Sequence, residues 1–288
     1  MRITHWGWLI AVTLFAAYCL EAAELRVPPT VPAGTEFSIA TSGSGKATFY
    51  LVGPSFSVKR EVRLGDEIHI RPEEIRSAGR YLALVRGSGN DSSASFYVVA
   101  TNAADLSFLA HPSRVPVARG SGILGVVFVF DKYKNLVRQP ETVDFRLAVK
   151  DAPAVSQSVQ SRDGVAWTRM NSSRKAGNAQ FVASLQGANE KRVIQQVASD
   201  PCNLRLKAQR SPKGIEVETD PVRDCTGNPV SDGTVVTFTA ADSSGTSTVD
   251  APIKKGVARA TLKTAGPATI SVASGVVMGN EVRVGGAQ

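Results

Sequence analysis

One pattern of residues occurs twice in this chain, with its two copies 93 positions apart. The first copy consists of Asp131, Asn135, Val137, Val143 and Phe145, and the second of Asp224, Asn228, Val230, Val236 and Phe238. Every spacing inside one copy is reproduced in the other. A repeat of this length is a whole small domain used again, because solenoid units are shorter. The pattern therefore predicts that the chain contains two domains of one fold.

The head of each copy has the residue chemistry of a tight turn that leads into a buried strand. In the second copy, the Asp224 carboxylate can accept backbone N–H bonds across the turn, and Gly227 and Asn228 tolerate left-handed backbone geometry. Pro229 fixes its own φ and biases the residue before it towards an extended conformation. We therefore expect this turn to be a structural element of the fold.

Alternating hydrophobicity runs through the rest of the chain. Short runs rich in Val, Ile, Thr and Phe are separated by Gly, Pro, Asn, Asp and Ser, which is typical of strands joined by turns. Val236, Phe238 and Ala240 face one way in such a run and alternate with their neighbours. Apolar-in, polar-out strands predict an all-β protein of three tandem immunoglobulin-like antiparallel β-sandwiches.

The predicted domains cover 24–101, 102–199 and 200–288. The joints between them are short, and Pro201 stiffens the second joint. We therefore expect a semi-rigid series of modules. Within the first domain, Tyr81 follows a glycine at the start of a late strand, which predicts a tyrosine corner.

The first 23 residues have the layout of a secretory signal peptide. Arg2 supplies a positive charge, the apolar stretch Trp8–Leu20 follows, and the small residues Ala22 and Ala23 end the segment. The apolar stretch is shorter than the roughly 20 residues that a membrane-spanning helix needs. We expect an exported protein whose mature chain starts near Glu24 and has no transmembrane span. A retained membrane anchor or a lipid anchor is the alternative.

Two cysteines remain after removal of such a signal, Cys202 and Cys225. Cysteines in an oxidising compartment usually pair. We therefore predict a disulfide that closes a loop of about 24 residues and stabilises the fold by roughly 3 kcal/mol. Two buried free thiols are the alternative. Without nearby histidines the thiols supply at most half of a zinc site, and we expect no metal.

The repeated turn and the strand after it resemble those of the bacterial immunoglobulin-like domain found in the invasin and intimin adhesins. The third domain carries the resemblance best, through Asp224, Gly227, Asn228, Pro229, Val236 and Phe238. The second domain carries it loosely, through Asp131, Asn135 and Phe145, because that copy lacks the Gly and the Pro. The resemblance implies surface display, adhesion or spacing. It also implies that these residues hold the domain together and catalyse nothing.

Basic residues are concentrated in the second domain. The chain has a formal net charge of +8, and between positions 105 and 198 it has 13 Lys or Arg against 7 Asp or Glu. The excess includes three pairs: Lys132 and Lys134, Arg174 and Lys175, and Lys191 and Arg192. We predict these pairs as a candidate patch for an anionic partner. A solvated basic surface that aids solubility is the alternative.

The run from Ile123 to Phe130 is apolar throughout, apart from Gly125. In a strand that is apolar on both faces, neither face is suited to contact with solvent. The favoured interpretation is a central strand whose outer face is covered by a loop or by the next domain. The alternative is an exposed apolar surface that binds a partner.

Residues suited to catalysis are few. His69 and His111 have no Ser, Cys or carboxylate companion at a recognised spacing. Gly120–Gly125 matches a dinucleotide-binding fingerprint by letter, but a strand follows where a helix is required. The adjacent carboxylates Glu73 and Glu74 are expected to be solvated in a turn. We predict no catalytic residue and no cofactor.

These observations predict a non-enzymatic exported structural or interaction protein of the bacterial cell envelope. It would lie in the periplasm, on the outer membrane or at the cell surface. Its partner would be another envelope or surface protein or an anionic envelope polymer, and not a nucleic acid. The alternative is a carbohydrate- or ligand-binding accessory module that stacks a ligand on Trp167. An enzyme with an unrecognised site is a third hypothesis.

Overall fold

The computed structural model describes residues 24–87 and 90–285. Almost every element in that part of the chain is a β-strand, and its one helical element is a short 3₁₀ turn, Pro72–Ile75. The all-β prediction is confirmed. The predicted signal peptide, residues 1–23, lies outside the described residues.

The first sandwich has eight strands in two sheets, ordered β1-β3-β6 and β2-β8-β7-β4-β5. The strands are β1 (Leu25–Arg26), β2 (Thr30–Pro32), β3 (Phe37–Thr41), β4 (Lys46–Val52), β5 (Ser57–Arg63), β6 (Ile68–Ile70), β7 (Gly79–Gly87) and β8 (Asn90–Val99). The Phe37 ring meets the Phe96 ring edge-on, with 5.3 Å between the ring centroids. This contact joins β3 of one sheet to β8 of the other, so the core lies between the sheets.

Tyr81 at the start of β7 forms the expected corner. Its ring is fully buried and stacks on Phe96 at 5.5 Å. Its hydroxyl donates a hydrogen bond of 3.1 Å to the carbonyl oxygen of Ser77, four residues earlier. Gly53 leaves room for the ring, because a Cβ there would lie 2.2 Å from the Cε1 atom of Tyr81.

Glu74 corrects the expectation of a solvated turn. Its side chain is fully buried. Arg60 Nη1 donates to Glu74 Oε1 at 2.8 Å, and the backbone N–H of Arg71 donates to Oε2 at 2.8 Å. A carboxylate is tolerated inside a protein when it is paired and hydrogen-bonded in this way. The prediction was wrong because the pairing arginine lies on a different strand.

The second sandwich also has eight strands in two sheets, ordered β10-β16-β15-β12-β13 and β14-β11-β9. The strands are β9 (Ala103–His111), β10 (Arg114–Pro116), β11 (Ile123–Asp131), β12 (Thr142–Val149), β13 (Val155–Gln160), β14 (Val165–Met170), β15 (Gly177–Leu185) and β16 (Ala188–Val197). The run that is apolar on both faces forms β11, the central strand of the three-stranded sheet.

The third sandwich has seven strands in two sheets, ordered β17-β18-β21 and β20-β19-β22-β23. The strands are β17 (Leu206–Ser211), β18 (Gly214–Thr219), β19 (Val235–Asp242), β20 (Gly245–Pro252), β21 (Arg259–Leu262), β22 (Ala268–Ser274) and β23 (Val277–Val284). Val236 and Phe238 of β19 are fully buried in its core. The tandem β-sandwich prediction is therefore confirmed.

Two short strands depart from the antiparallel pattern. β2 pairs with β8 in parallel, and β10 pairs with β16 in parallel. Both lie at the edge of a five-stranded sheet. The other strand pairs of the described chain are antiparallel, so the sequence prediction holds for the body of each sandwich and misses these edges.

The described chain divides into two compact units. One ends at Thr101, and the other begins at Asn102 and holds both the second and the third sandwich. The domain borders deduced from the sequence stay predictions, and here they serve only to name the three parts.

Three phenylalanines and one glycine form the centre of the second sandwich. Phe108 meets Phe181 edge-on at 5.0 Å, and Phe145 lies 6.0 Å from each of them. A Cβ at Gly125 would lie 2.7 Å from Phe181 Cζ and 3.2 Å from Phe108 Cε2. Gly125 therefore interrupts the apolar run of β11 because the aromatic rings occupy the space of its missing side chain.

We expect Gly125→Ala to destabilise the second sandwich by about 1–3 kcal/mol, because the added methyl group overpacks the aromatic cluster. Denaturant unfolding followed by the fluorescence of Trp167 measures this, since Trp167 is the one tryptophan after residue 23. Gly120→Ala is the control, because the nearest atom to a Cβ there is 4.0 Å away. Equal stability of the two variants would contradict this packing.

Candidate functional site

The repeated turn has the same hydrogen bonds in both copies. Asp224 Oδ1 accepts from the backbone N–H groups of Thr226 at 2.8 Å and Asn228 at 2.9 Å. Asp131 Oδ1 accepts from the corresponding N–H groups of Tyr133 and Asn135 at the same two distances. The aspartate of each copy therefore holds its turn closed by charge-assisted hydrogen bonds.

The two copies differ at the residue that adopts the left-handed conformation. Gly227 has a φ of +87° in the second copy, and Lys134 has a φ of +67° in the first. Glycine adopts this geometry without steric cost, whereas lysine does not. The Lys134 ammonium also forms an ion pair with Asp105. The first copy thus keeps the turn without its glycine.

Asn228 of the second copy connects the third sandwich to the second. Its Oδ1 atom accepts from the backbone N–H of Ala176 at 2.9 Å, and its Nδ2 atom donates to the carbonyl of Arg174 at 2.8 Å. Asp224 Oδ2 accepts from the backbone N–H of Ser199 in the linker at 3.1 Å. The turn is therefore part of the joint between the two sandwiches.

The disulfide Cys202–Cys225 lies in the same joint. Cys202 follows the linker and Cys225 follows Asp224 in the turn. The backbone N–H of Cys202 donates to the carbonyl of Arg223 at 3.0 Å. A covalent bond and several hydrogen bonds thus fix the linker to the turn, and the second and third sandwiches lie in one compact unit.

We expect Asn228→Ala to loosen this joint, because it removes both side-chain hydrogen bonds to the second sandwich. Spin labels on cysteines introduced at the exposed positions Val193 and Val276 report the distance between the two sandwiches. The distance distribution should broaden in the variant. Thr237→Val is the control, because the Thr237 hydroxyl bonds to Asp250 between two strands of the third sandwich. A distribution as narrow as in the parent chain would refute the role of Asn228.

The same turn makes the third sandwich sensitive to acid. Burial raises the pKa of Asp224, but hydrogen bonds from Thr226 and Asn228 outweigh burial and hold the pKa below its ordinary value. A lowered folded-state pKa contributes stability that is fully present above the ordinary value of about 3.9 and is lost as the pH falls through the folded pKa. The contribution is therefore constant near neutral pH.

We expect the Tm difference between the parent chain and Asp224→Asn to be constant from neutral pH down to about pH 4 and to shrink below it. Scanning calorimetry over a pH series measures this. Glu216→Gln, a carboxylate outside the turn, controls for the change of net charge. A difference that stays constant down to pH 2 would show that the Asp224 charge does not stabilise the turn.

The outer face of the sheet β14-β11-β9 is apolar. The central strand contributes the half-buried residues Leu124, Val126, Phe128 and Phe130. One row across the sheet joins Leu109, Val126 and Trp167. Leu109 is 56% exposed and Trp167 is 59% exposed. The prediction of a central strand is confirmed, but the prediction of a covered outer face is not, because this face is only half-buried along β11 and exposed on both neighbouring strands. We call it the apolar face.

The apolar face is bounded by different residues at its two ends. At one end, Leu136 is 37% exposed and its side chain lies over Gly164, where a Cβ would be 2.4 Å from the Leu136 Cγ atom. At the other end, His111 and Arg169 pair with Leu124 on either side and are both exposed. On the edge strand β9, Ser107 pairs with Phe128 and Asp105 pairs with Phe130. The apolar groups therefore lie mainly along the central strand β11, and polar groups border them on β9 and at the end of β14.

The corresponding sheet of the third sandwich has a charged outer face. One row joins Lys207, Glu218 and Arg259, and the next joins Gln209, Glu216 and Thr261. Arg259 Nη2 and Glu218 Oε1 are 2.8 Å apart. The fold therefore does not require an apolar outer face on this sheet, and the apolar face is a property of the second sandwich.

The predicted basic pairs are not gathered into one patch. Lys132 and Lys134 directly follow β11. Arg174 and Lys175 lie in the loop after β14, and this strand starts beside the end of β11 and runs antiparallel to it, so its loop lies at the other end of the sheet. Lys191 and Arg192 lie within β16 of the opposite sheet. Three of the six charges are paired, because Lys134, Lys175 and Arg192 contact Asp105, Asp151 and Glu190. Binding of an anion by these pairs stays a prediction.

The remaining candidates for catalysis are two histidines. His69 is exposed and pairs with Glu36, and His111 is the exposed last residue of β9. Within 24–87 and 90–285, no group of three His, Cys, Asp or Glu is placed to hold a metal ion. In the same ranges no helix has the length and hydropathy to cross a membrane.

Comparison with solved structures identifies the fold. The Escherichia coli adhesin FdeC is similar over 93% of this chain and 96% of its own, with a TM-score of 0.63 and 17% sequence identity. This chain has the fold of a bacterial immunoglobulin-like adhesin. The resemblance expected from the repeated turn is thus confirmed for the fold.

Two further structures are similar at lower scores. Invasin, described as a bacterial integrin-binding protein, matches 92% of this chain and 59% of its own, with a TM-score of 0.49 and 12% identity. InvD of Yersinia pseudotuberculosis matches 91% of this chain and 96% of its own, with a TM-score of 0.48 and 13% identity. No family model and no curated protein sequence matches the chain.

Proposed function

We propose that this chain is a non-enzymatic, exported interaction protein of the bacterial cell envelope or surface. It binds a partner protein through the apolar face of its second sandwich. The apolar face is the observation that carries this proposal, because the largest exposed apolar patch of a protein is often a binding site. The shared fold with an adhesin supports the same class of function.

The size of the apolar face fits a binding surface. Three strands about 4.8 Å apart and seven residues of β11 at about 3.4 Å each give a surface of roughly 340 Å². The largest apolar patch of a typical monomer is about 300–600 Å² and is often functional. A standard interface buries about 800 Å² on each partner. A partner that covers the face therefore also contacts residues around it.

A protein partner suits the face better than a glycan does. Sugar sites combine aromatic stacking with several fixed polar groups. Here Trp167 lies beside Val126 of the central strand, with Leu109 on the far side of Val126, and polar residues such as Arg169 border these apolar groups. Exposed Trp167 still supports a second candidate, the carbohydrate-binding accessory module. Binding on a glycan array that is lost in Trp167→Ala would favour that candidate.

Export and rigidity support the proposal further. The first 23 residues have the layout of a signal peptide, and a disulfide suits an oxidising compartment. The fixed joint between the second and third sandwiches would hold the apolar face in a constant orientation to the third sandwich. The proposed mechanism is therefore rigid display of a binding face.

We expect a photo-reactive amino acid at Leu109 or Trp167 to crosslink one partner protein in intact cells that produce the chain. The same probe at Glu216, on the corresponding sheet of the third sandwich, is the matched control and should give no such product. Leu109→Asp should reduce the crosslink from position 167 by at least tenfold, because burying an unpaired charge is costly.

The contrary result is a product of equal yield from the control position, or no protein product from either probe on the apolar face. Either outcome would remove the support for this face as the binding surface. Near-ultraviolet circular dichroism of each variant verifies that the sandwiches remain folded.

A further inference from the structure

A cleft of about 1040 Å³ lies between the second and third sandwiches. Its walls come from the loop after β10, the end of β14, the linker 198–201 and the turn of the second copy. The Asn228 amide bonds to the second sandwich across this joint, and the disulfide Cys202–Cys225 fixes the turn that carries Asn228. These contacts restrain the width of the cleft, and a preorganised cleft favours binding because less motion has to be arrested.

Three arginines line this cleft: Arg114, Arg119 and Arg169. All three are exposed, and none forms an ion pair within the described residues. Asp200 is the one carboxylate among the residues that line the cleft. The cleft therefore carries an excess of positive charge, presented by side chains that favour paired contacts with carboxylates.

The loop that carries Arg119 is fixed by hydrogen bonds. The backbone N–H of Arg119 donates to the hydroxyl of buried Ser172 at 2.8 Å, and the N–H of Ser121 donates to Asn171 Oδ1 at 2.7 Å. A Cβ at Gly122 would lie 2.7 Å from the Cγ atom of Arg119. The arginine stem therefore packs over this glycine, which orients the side chain before any ligand arrives.

The cleft continues into the apolar face. Arg169 lines the cleft, and on the sheet β14-β11-β9 it pairs with Leu124, which pairs in turn with His111. Trp167 is two residues earlier on the same strand and points to the same side. A ligand that leaves the cleft along β14 therefore meets the apolar face directly.

We propose that this cleft binds an extended acidic segment of the partner protein, with its carboxylates on Arg114, Arg119 and Arg169. The residues that follow this segment cover Leu124 and Trp167. This inference rests on the proposed function and names the chemistry of the partner. A protein segment fits better than an acidic polysaccharide, because only a protein supplies apolar side chains for the adjoining face.

Fluorescence anisotropy with the full mature chain tests this inference. The probe is a fluorescein-labelled peptide in which a run of glutamates precedes alternating valine and threonine, and the control peptide has glutamine in place of glutamate. Arg119→Glu should weaken binding of the acidic peptide on the order of tenfold, because it reverses a contact charge. Arg114→Glu is the second variant, should the first fail to fold.

Lys191→Glu is the matched control, since it makes the same change of net charge on the opposite sheet. It should change binding less than about twofold, because screening reduces a distant exposed charge. Equal weakening by Lys191→Glu and Arg119→Glu, or equal binding of the glutamine peptide, would overturn the inference. Absence of peptide binding, or binding of polygalacturonate fragments in its place, would overturn it too.

The two proposals fail separately. If position 109 still crosslinks a partner but the cleft variants bind the acidic peptide as the parent chain does, the apolar face is supported as a binding surface and the acidic segment in the cleft is refuted. If position 109 crosslinks no partner but the parent chain binds the acidic peptide and the cleft variants do not, the cleft is supported and the apolar face is refuted.

Discussion

The carboxylate of Asp224 is the contact on which the joint and the cleft depend. It closes the turn by accepting hydrogen bonds from Thr226 and Asn228, and it also holds the linker at Ser199. The closed turn places the Asn228 amide against the second sandwich. Without that placement the disulfide would still connect linker and turn, but nothing described in the turn would reach Arg174 or the cleft wall behind it.

The second and third sandwiches show which parts of a repeated domain can change. Both keep the aspartate turn and the buried alternate residues, because their loss would open the core. The left-handed residue has changed from Gly227 to Lys134, at a cost in backbone strain. The outer face of the three-stranded sheet also differs between them, since its residues do not hold the two sheets together. One sandwich has a charged face there, and the other has the apolar face.

Features that depend on local periodicity could be predicted from the sequence, and features that depend on distant partners could not. Alternation predicted the strand in which Val236 and Phe238 are buried. The short strands β2 and β10 have too few residues to show a period. The burial of Glu74 depends on Arg60, which is distant in the sequence. The three basic pairs were predicted to form one patch, but the fold places them on different strands and loops. The cleft arginines come from β10, a loop and β14, so no sequence window contains them.

The apolar face and the arginine cleft belong to the same compact unit, and this has an energetic consequence. A partner that engages both surfaces loses its translational and rotational freedom once, and the second contact forms at high effective concentration. The face alone is about half the size of one side of a standard interface. The cleft supplies additional area and also charge, which discriminates between partners more strongly than apolar contact does. The three arginines and the apolar face all belong to the second sandwich, so this sandwich alone would hold the two surfaces in a fixed relative position, and the third sandwich would supply the opposite wall of the cleft.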